Sequence, residues 1–184
     1  MKKIYLLLVG LLFVQCKEEA PKQEVSIIQK AQLIHLKTTT LDTHDDINIK
    51  NFTDTLNYLQ DTDTQVNLPK MQAGALDVAW FIVYTGQGDL TPQGYEEAAE
   101  NAQSKFDAIH RLTQVYAPNQ IGLATSTSQV DSLRKMSKKV AMIGVENAYP
   151  IGLDTANVKR YFDMGARYMS LAHNGHNQFS YSNT

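Results

Sequence analysis

The sequence predicts an α/β protein on a parallel sheet, laid out as part of a (β/α) barrel. Three observations carry this. Short apolar runs alternate four times with helical patterns, which is βα repetition. The runs are apolar throughout, as strands buried on both faces must be. The first ends in Leu41-Asp42-Thr43-His44-Asp45-Asp46-Ile47, where a doubly wound sheet would carry a glycine-rich phosphate turn.

The N-terminus reads as a separate object. Lys2 and Lys3 precede the apolar run Ile4–Val14, broken only by Gly10. At about eleven residues it is too short to span a bilayer as a helix, which takes roughly 20. Residues 1–16 are therefore expected to be an export signal. Cys16, the one cysteine of the chain, stands where a bacterial lipoprotein signal is cleaved and lipidated, and a lone cysteine has no disulfide partner. An ordinary signal with an incidental cysteine is the other reading. The expectation is an exported lipoprotein, periplasmic or at the cell surface, held to a membrane through Cys16, with residues 17–32 as a polar tether.

The barrel portion is expected over residues 33–184. Leu33–Ile47 is strand-like, Asn48–Asp63 is polar and ambiguous, and Leu76–Tyr84 is the second strand, ending in Thr85-Gly86-Gln87-Gly88. A long helix follows over Pro92–Tyr116, with Ala98, Ala102, Phe106, Ile109, Leu112 and Val115 on one stripe, Thr91 as N-cap and Pro92 in the first turn. Ser128–Lys138 is a shorter helix and Val140–Val145 the third strand. Asp154–Met164 is a helix stopped by Gly165, and Ala166–Ala172 is the fourth strand. A complete barrel takes about 250 residues and only about 150 follow the tether, so this chain is expected to supply roughly the first half.

Composition excludes some functions. With 43% apolar and 20% charged residues and a formal charge of −2, the chain suits a globular core and lacks the basic excess of a nucleic-acid binder. No run of like charge suggests a membrane-surface patch.

The chemistry is expected at the strand ends. On an alternating strand Asp42, His44 and Asp46 share one face, with Thr43 and Asp45 on the other. His44 and Asp46 could grip one cation, and imidazole with carboxylate suits zinc better than calcium or magnesium. Asp42 could orient the His44 ring from behind. Alone, H-x-D equally describes a strand end running into a loop. Glu146 ends the third strand after an apolar run, and His173 ends the fourth, which in a barrel places both at the rim where catalytic residues gather. His173 could ligate metal or donate to a substrate oxygen that gains charge. His176 reads as a loop residue, and His35 and His110 as structural.

Taken together, Asp42–Asp46, Gln65–Gly74, Gly144-Val145-Glu146 and Gly165–Asn174 resemble the membrane dipeptidase (renal dipeptidase, peptidase M19) family, in matching order across nearly all of residues 33–184. The resemblance implies a (β/α)8 metallo-hydrolase barrel with a two-zinc centre that hydrolyses dipeptides. It implies that His44 and Asp46 ligate one zinc, that Glu146 bridges both, and that His173 binds substrate. Lys70–Gly74 corresponds to a structural turn before the second strand. After Glu146 the family often has glycine, whereas Asn147-Ala148-Tyr149 follows here, which implies a changed pocket shape. The family's second-zinc histidines, substrate-binding arginine and catalytic aspartate correspond to positions past Thr184, so no catalytic residue is expected within these 184 residues. The alternatives are another amidohydrolase-like barrel, acting on lactones or N-acyl amino acids, and a non-catalytic surface-binding lipoprotein.

This reading makes the 184-residue chain inactive by itself. A dipeptidase assay with metal analysis, on this chain and on any longer gene product, checks it. Turnover with two bound zinc ions in the 184-residue form would overturn it.

Overall fold

The eight-residue strand β4, Lys139–Glu146, organises the molecule. Along one edge it pairs in parallel with β2, Val78–Tyr84, from Val78 opposite Val140 to Tyr84 opposite Glu146. The other edge is shared by two strands. The first part of β4 pairs with β3, Ile121–Leu123, and its second part with β5, Ala166–Met169. On the far side of β2 lies β1, Leu41–Asp46. All pairings between these strands are parallel. Apart from β3, the strands stand side by side in chain order, β1, β2, β4, β5, which is the order of a barrel wall and not of a doubly wound sheet. These four are the strands the sequence predicts. The short β3 was not expected, because Ile121-Gly122-Leu123 is too brief to show a period.

This architecture comes from a computed structural model, which describes residues 25–184. Cys16, the signal segment and residues 17–24 of the tether lie outside the described residues.

The N-terminal boundary needs correcting. Helix α1 covers Ile27–Lys37, so the first strand starts at Leu41 and not at Leu33. A capping box decides this: the Ser26 hydroxyl accepts from the Gln29 N–H at 3.2 Å, and the Gln29 side chain accepts from the Ser26 N–H at 3.0 Å. Ile27–Gln32, expected in the tether, belong to this helix, although none of its residues is buried. The segment Lys70–Gly74, expected as a turn, lies largely in helix α2, Leu68–Ala73. That helix is started by the Asn67 side chain, which accepts from the Lys70 N–H.

The remaining helices follow the sequence closely. Helix α3, Pro92–Arg111, is capped by Thr91 and continues into a π-turn over Leu112–Tyr116. Helix α4 is Thr127–Lys135, and α5 is Ala156–Asp163, after which Gly165 takes a φ of +108°. The α3 stripe packs Ala102, Phe106 and Ile109 onto Phe81, Val83, Ala141, Ile143 and Val145, which alternate along β2 and β4. Tyr161 of α5 closes on Phe106, with ring centres 5.2 Å apart. Burying such side chains contributes about 1.5–3 kcal/mol each.

The opposite face of the sheet carries Trp80, Gly144 and Tyr168. The Tyr168 ring lies over Gly144 and beside Trp80, at 5.1 Å, and its hydroxyl donates to the Thr43 carbonyl at 3.1 Å. A Cβ on Gly144 would sit 2.1 Å from a ring carbon of Tyr168. The missing side chain is what lets β5 reach across the sheet to β1. We expect Gly144→Ala to expel the ring and lower stability by about 1–3 kcal/mol, measured by urea denaturation. An unchanged midpoint would show that the ring is not held there.

Candidate metal centre

Three strand ends converge on Glu146. The carboxylate is the last residue of β4, and its side chain is 17% exposed. One oxygen, Oε2, lies 3.3 Å from His44 Nε2 at the end of β1, and the other, Oε1, lies 3.3 Å from His173 Nε2 past the end of β5. Asp46 completes one side, with Oδ1 3.7 Å from His44 Nε2. The ligand atoms of His44, Asp46 and Glu146 all lie within 4.8 Å of one another. The His173 ring meets the Tyr84 ring edge-on at 5.0 Å, and Tyr84 is the register partner of Glu146.

A bulge sets the faces of β1. Asp42 pairs with Ala79 and Asp45 with Phe81, three residues on β1 against two on β2. Strict alternation therefore fails, and Asp42 does not stand behind the His44 ring. Its carboxylate instead accepts from the His44 backbone N–H at 3.0 Å. Asp45 is buried on the side of Phe81, and its Oδ2 has no hydrogen-bond partner among the described residues. Desolvation, reinforced by Asp42, raises the Asp45 carboxyl to about 7. A cavity of about 410 Å³ runs past Asp45 and Asp46, lined also by Asn48, Tyr58 and Thr64.

The expected site residues thus fall into two groups. His44, Asp46, Glu146 and His173 come together at the rim. The other histidines do not join them. His176 Nδ1 accepts from the Ser182 N–H, His110 Nε2 reaches the Met164 carbonyl at 2.8 Å, and His35 lies on the exposed α1.

Sequence reasoning missed Lys105. From α3 its ammonium reaches the Tyr84 carbonyl and lies 5.4 Å from the centre of the Tyr84 ring. Burial lowers its pKa, while Asp46 and Glu146 oppose that shift. One signal was available: Lys105 stands three residues after Ala102 and seven after Ala98, on the buried stripe of the helix. The Asn after Glu146 was noted only as a departure. It is fully buried with a φ of +74°, the left-handed conformation that favours glycine, and asparagine tolerates it better than most residues.

The donor set fits a divalent metal by its chemistry. Two atoms bound to one tetrahedral zinc at about 2.0–2.1 Å stand about 3.3 Å apart, which is the His44–Glu146 spacing, and Asp46 needs only a small movement. Exposed Asp46 and half-exposed His44 leave room for that adjustment.

Residues 28–184 match the model of a family described as membrane dipeptidase, peptidase family M19. Among curated relatives, Dipeptidase aclJ of Aspergillus oryzae is 25% identical over 120 residues, covering 63% of this chain and 28% of that protein. Dipeptidase 3 of Mus musculus is 25% identical over 127 residues, 68% of this chain and 22% of that protein. Of solved structures, the probable dipeptidase PvdM from Pseudomonas aeruginosa has a TM-score of 0.77 at 22% identity, covering 84% of this chain and 40% of that one. A metallopeptidase from Rhodobacter sphaeroides, liganded with a phosphinate mimic of the dipeptide L-Ala-D-Ala, has a TM-score of 0.60 at 16% identity, covering 72% and 45%. The chain therefore spans less than half the length of these relatives. The in-order strands are part of the (β/α) barrel that the solved neighbours share. With the family model matching residues 28–184, the chain belongs to the membrane dipeptidase family, peptidase family M19.

Proposed function

We propose that this chain serves the zinc-dependent hydrolysis of dipeptides, with His44, Asp46 and Glu146 holding metal and His173 contacting substrate. The observation that carries it is Glu146 placed between two imidazoles, one carboxylate oxygen 3.3 Å from each. A purely structural metal site would not account for His173, which a hydrolytic site uses on its substrate. In this reading His44, Asp46 and Glu146 would hold zinc, with Glu146 available to a second ion as well.

Zinc held by His44, Asp46 and Glu146 would supply Lewis-acid chemistry, making a water more acidic and a substrate carbonyl more electrophilic. The remaining work falls to the chain's own groups. His173 Nε2 lies 3.3 Å from Glu146 Oε1 and, once that oxygen is taken by metal, its N–H is available to a substrate oxygen as charge develops on it. Its Nδ1 is buried without a hydrogen-bond partner among the described residues, so Nε2 is the ring nitrogen that meets Glu146. Tyr84 braces the ring edge-on. Lys105, behind the acids, offsets their mutual repulsion when no cation is bound.

Zinc titration against a chelating indicator tests the ligand set. Glu146→Gln and His44→Ala are expected to weaken binding at least about tenfold, and Asp42→Asn, which touches only a backbone N–H, by less than about threefold. Wild-type affinity in Glu146→Gln would overturn the site. For the reaction, any longer gene product, loaded with zinc, should cleave L-Ala-D-Ala in preference to lactones or N-acyl amino acids, and the opposite preference would favour another amidohydrolase-type reaction.

Membrane attachment through Cys16 is proposed alongside. Among the described residues no helix is long and apolar enough to cross a membrane. Fatty-acid labelling in a bacterial host should be lost in Cys16→Ser, and labelling that survives would overturn the anchor.

A further inference from the structure

We propose that Asn147 is a positioning residue, whose buried amide clamps the loops after β2 and β5 to the end of β4 and so fixes the separation of Glu146 from His173. The proposal rests on the metal-site reading above.

Every hydrogen-bonding position of this side chain is used. Its Nδ2 donates to the Thr85 carbonyl at 3.0 Å and to Gln87 Oε1 at 3.3 Å, both in the loop after β2. Its Oδ1 accepts from the Tyr149 N–H at 3.2 Å and from Asn177 Nδ2 at 2.8 Å. An amide side chain has two donors and an acceptor with two lone pairs, so no capacity is left over. The backbone N–H of Asn147 donates to Ser170 Oγ at 3.0 Å, which binds the end of β5 as well.

The clamp encloses His173 in sequence. Asn177 Nδ2 donates to the Leu171 carbonyl at 2.6 Å in addition to Asn147 Oδ1, so the chain is tied on both sides of the histidine. The Ala148 N–H also donates to the Leu171 carbonyl, at 3.4 Å. Asn147 follows Glu146 directly, so one residue anchors the carboxylate and the segment that carries its second imidazole. Glycine would satisfy the left-handed backbone equally well but would make none of the four side-chain bonds.

The test compares Asn147→Gly, which keeps the allowed backbone, and Asn177→Ala, which cuts the clamp at its far end, with Asn57→Ala. Asn57 is another buried amide, bonded to the Thr53 carbonyl and the Leu59 N–H within its own loop. All three should lose some stability. Zinc affinity of the 184-residue chain should fall about tenfold in Asn147→Gly and stay within about twofold of wild type in Asn57→Ala. Hydrogen exchange of the backbone amides over residues 170–180 should rise at least about tenfold in Asn147→Gly and Asn177→Ala but not in Asn57→Ala. Wild-type zinc affinity in a folded Asn147→Gly protein would overturn the proposal. If the wild-type chain bound no zinc, the metal-site reading would fail, and the exchange data would decide the clamp alone: equal protection in Asn147→Gly and Asn57→Ala would overturn it.

Discussion

A carboxylate at the end of a buried strand is the constraint around which this structure is arranged. From Val140 to Val145 β4 is apolar and lies between neighbouring strands on both edges, and at Glu146 a charge arrives at low exposure. Such a charge is costly unless it is paired. The pairing comes from imidazoles on neighbouring elements: β1 brings His44, and the chain leaving β5 brings His173. Register does most of this work. Seven consecutive pairs lock β2 to β4, which sets Tyr84 beside Glu146, and Tyr84 in turn braces His173. Loops alone would not hold two imidazoles at equal distances from one carboxylate.

Part of this was legible in the sequence, and the divisions have physical causes. Glu146 could be anticipated because a carboxylate ending a run of six apolar residues breaks a simple pattern, and His173 because it follows the fourth strand-like run. The face assignment of β1 was only half right, because it assumed strict alternation. A bulge has no signature in Asp42-Thr43-His44-Asp45-Asp46, yet it moves Asp42 out of line and leaves Asp45 buried. Leu33–Thr40 looked like a strand because β-leaning residues crowd it. Ser26 and Gln29, seven and four residues before that run, start a helix that takes in Leu33–Lys37. The clamp residues were invisible for another reason. Asn147, Asn177 and Thr85 meet only after the three strands are side by side, and no local pattern records a bond spanning 62 residues.

The electrostatics have the same layered character. Asp42, Asp45, Asp46 and Glu146 bring acids together at one rim, and the burial of Asp45 raises its pKa to about 7. Two cationic influences offset the crowding. One is Lys105, held beneath Tyr84 although burial disfavours its charge. In the proposed reading, a divalent ion held by His44, Asp46 and Glu146 would be the other. Among the described residues the carboxylates at this rim outnumber Lys105, and an excess of negative charge at the mouth of a cavity favours cation capture.

That excess explains why the backbone beneath Glu146 must be rigid. A carboxylate repelled by neighbouring acids and attracted by two imidazoles has several arrangements close in energy, and only one presents an oxygen to each side. Glycine after Glu146 would meet the backbone requirement while leaving the next turn loose, since it carries the largest conformational entropy of any residue. Asparagine accepts the same φ and adds four side-chain hydrogen bonds, each contributing about 0.5–1.5 kcal/mol net. Those bonds are buried, so breaking one leaves an unpaired polar group and costs more than forming it contributed. Rigidity at the rim therefore comes from a position one residue away from the chemistry, where a side chain can be fully committed to structure without competing for metal or substrate.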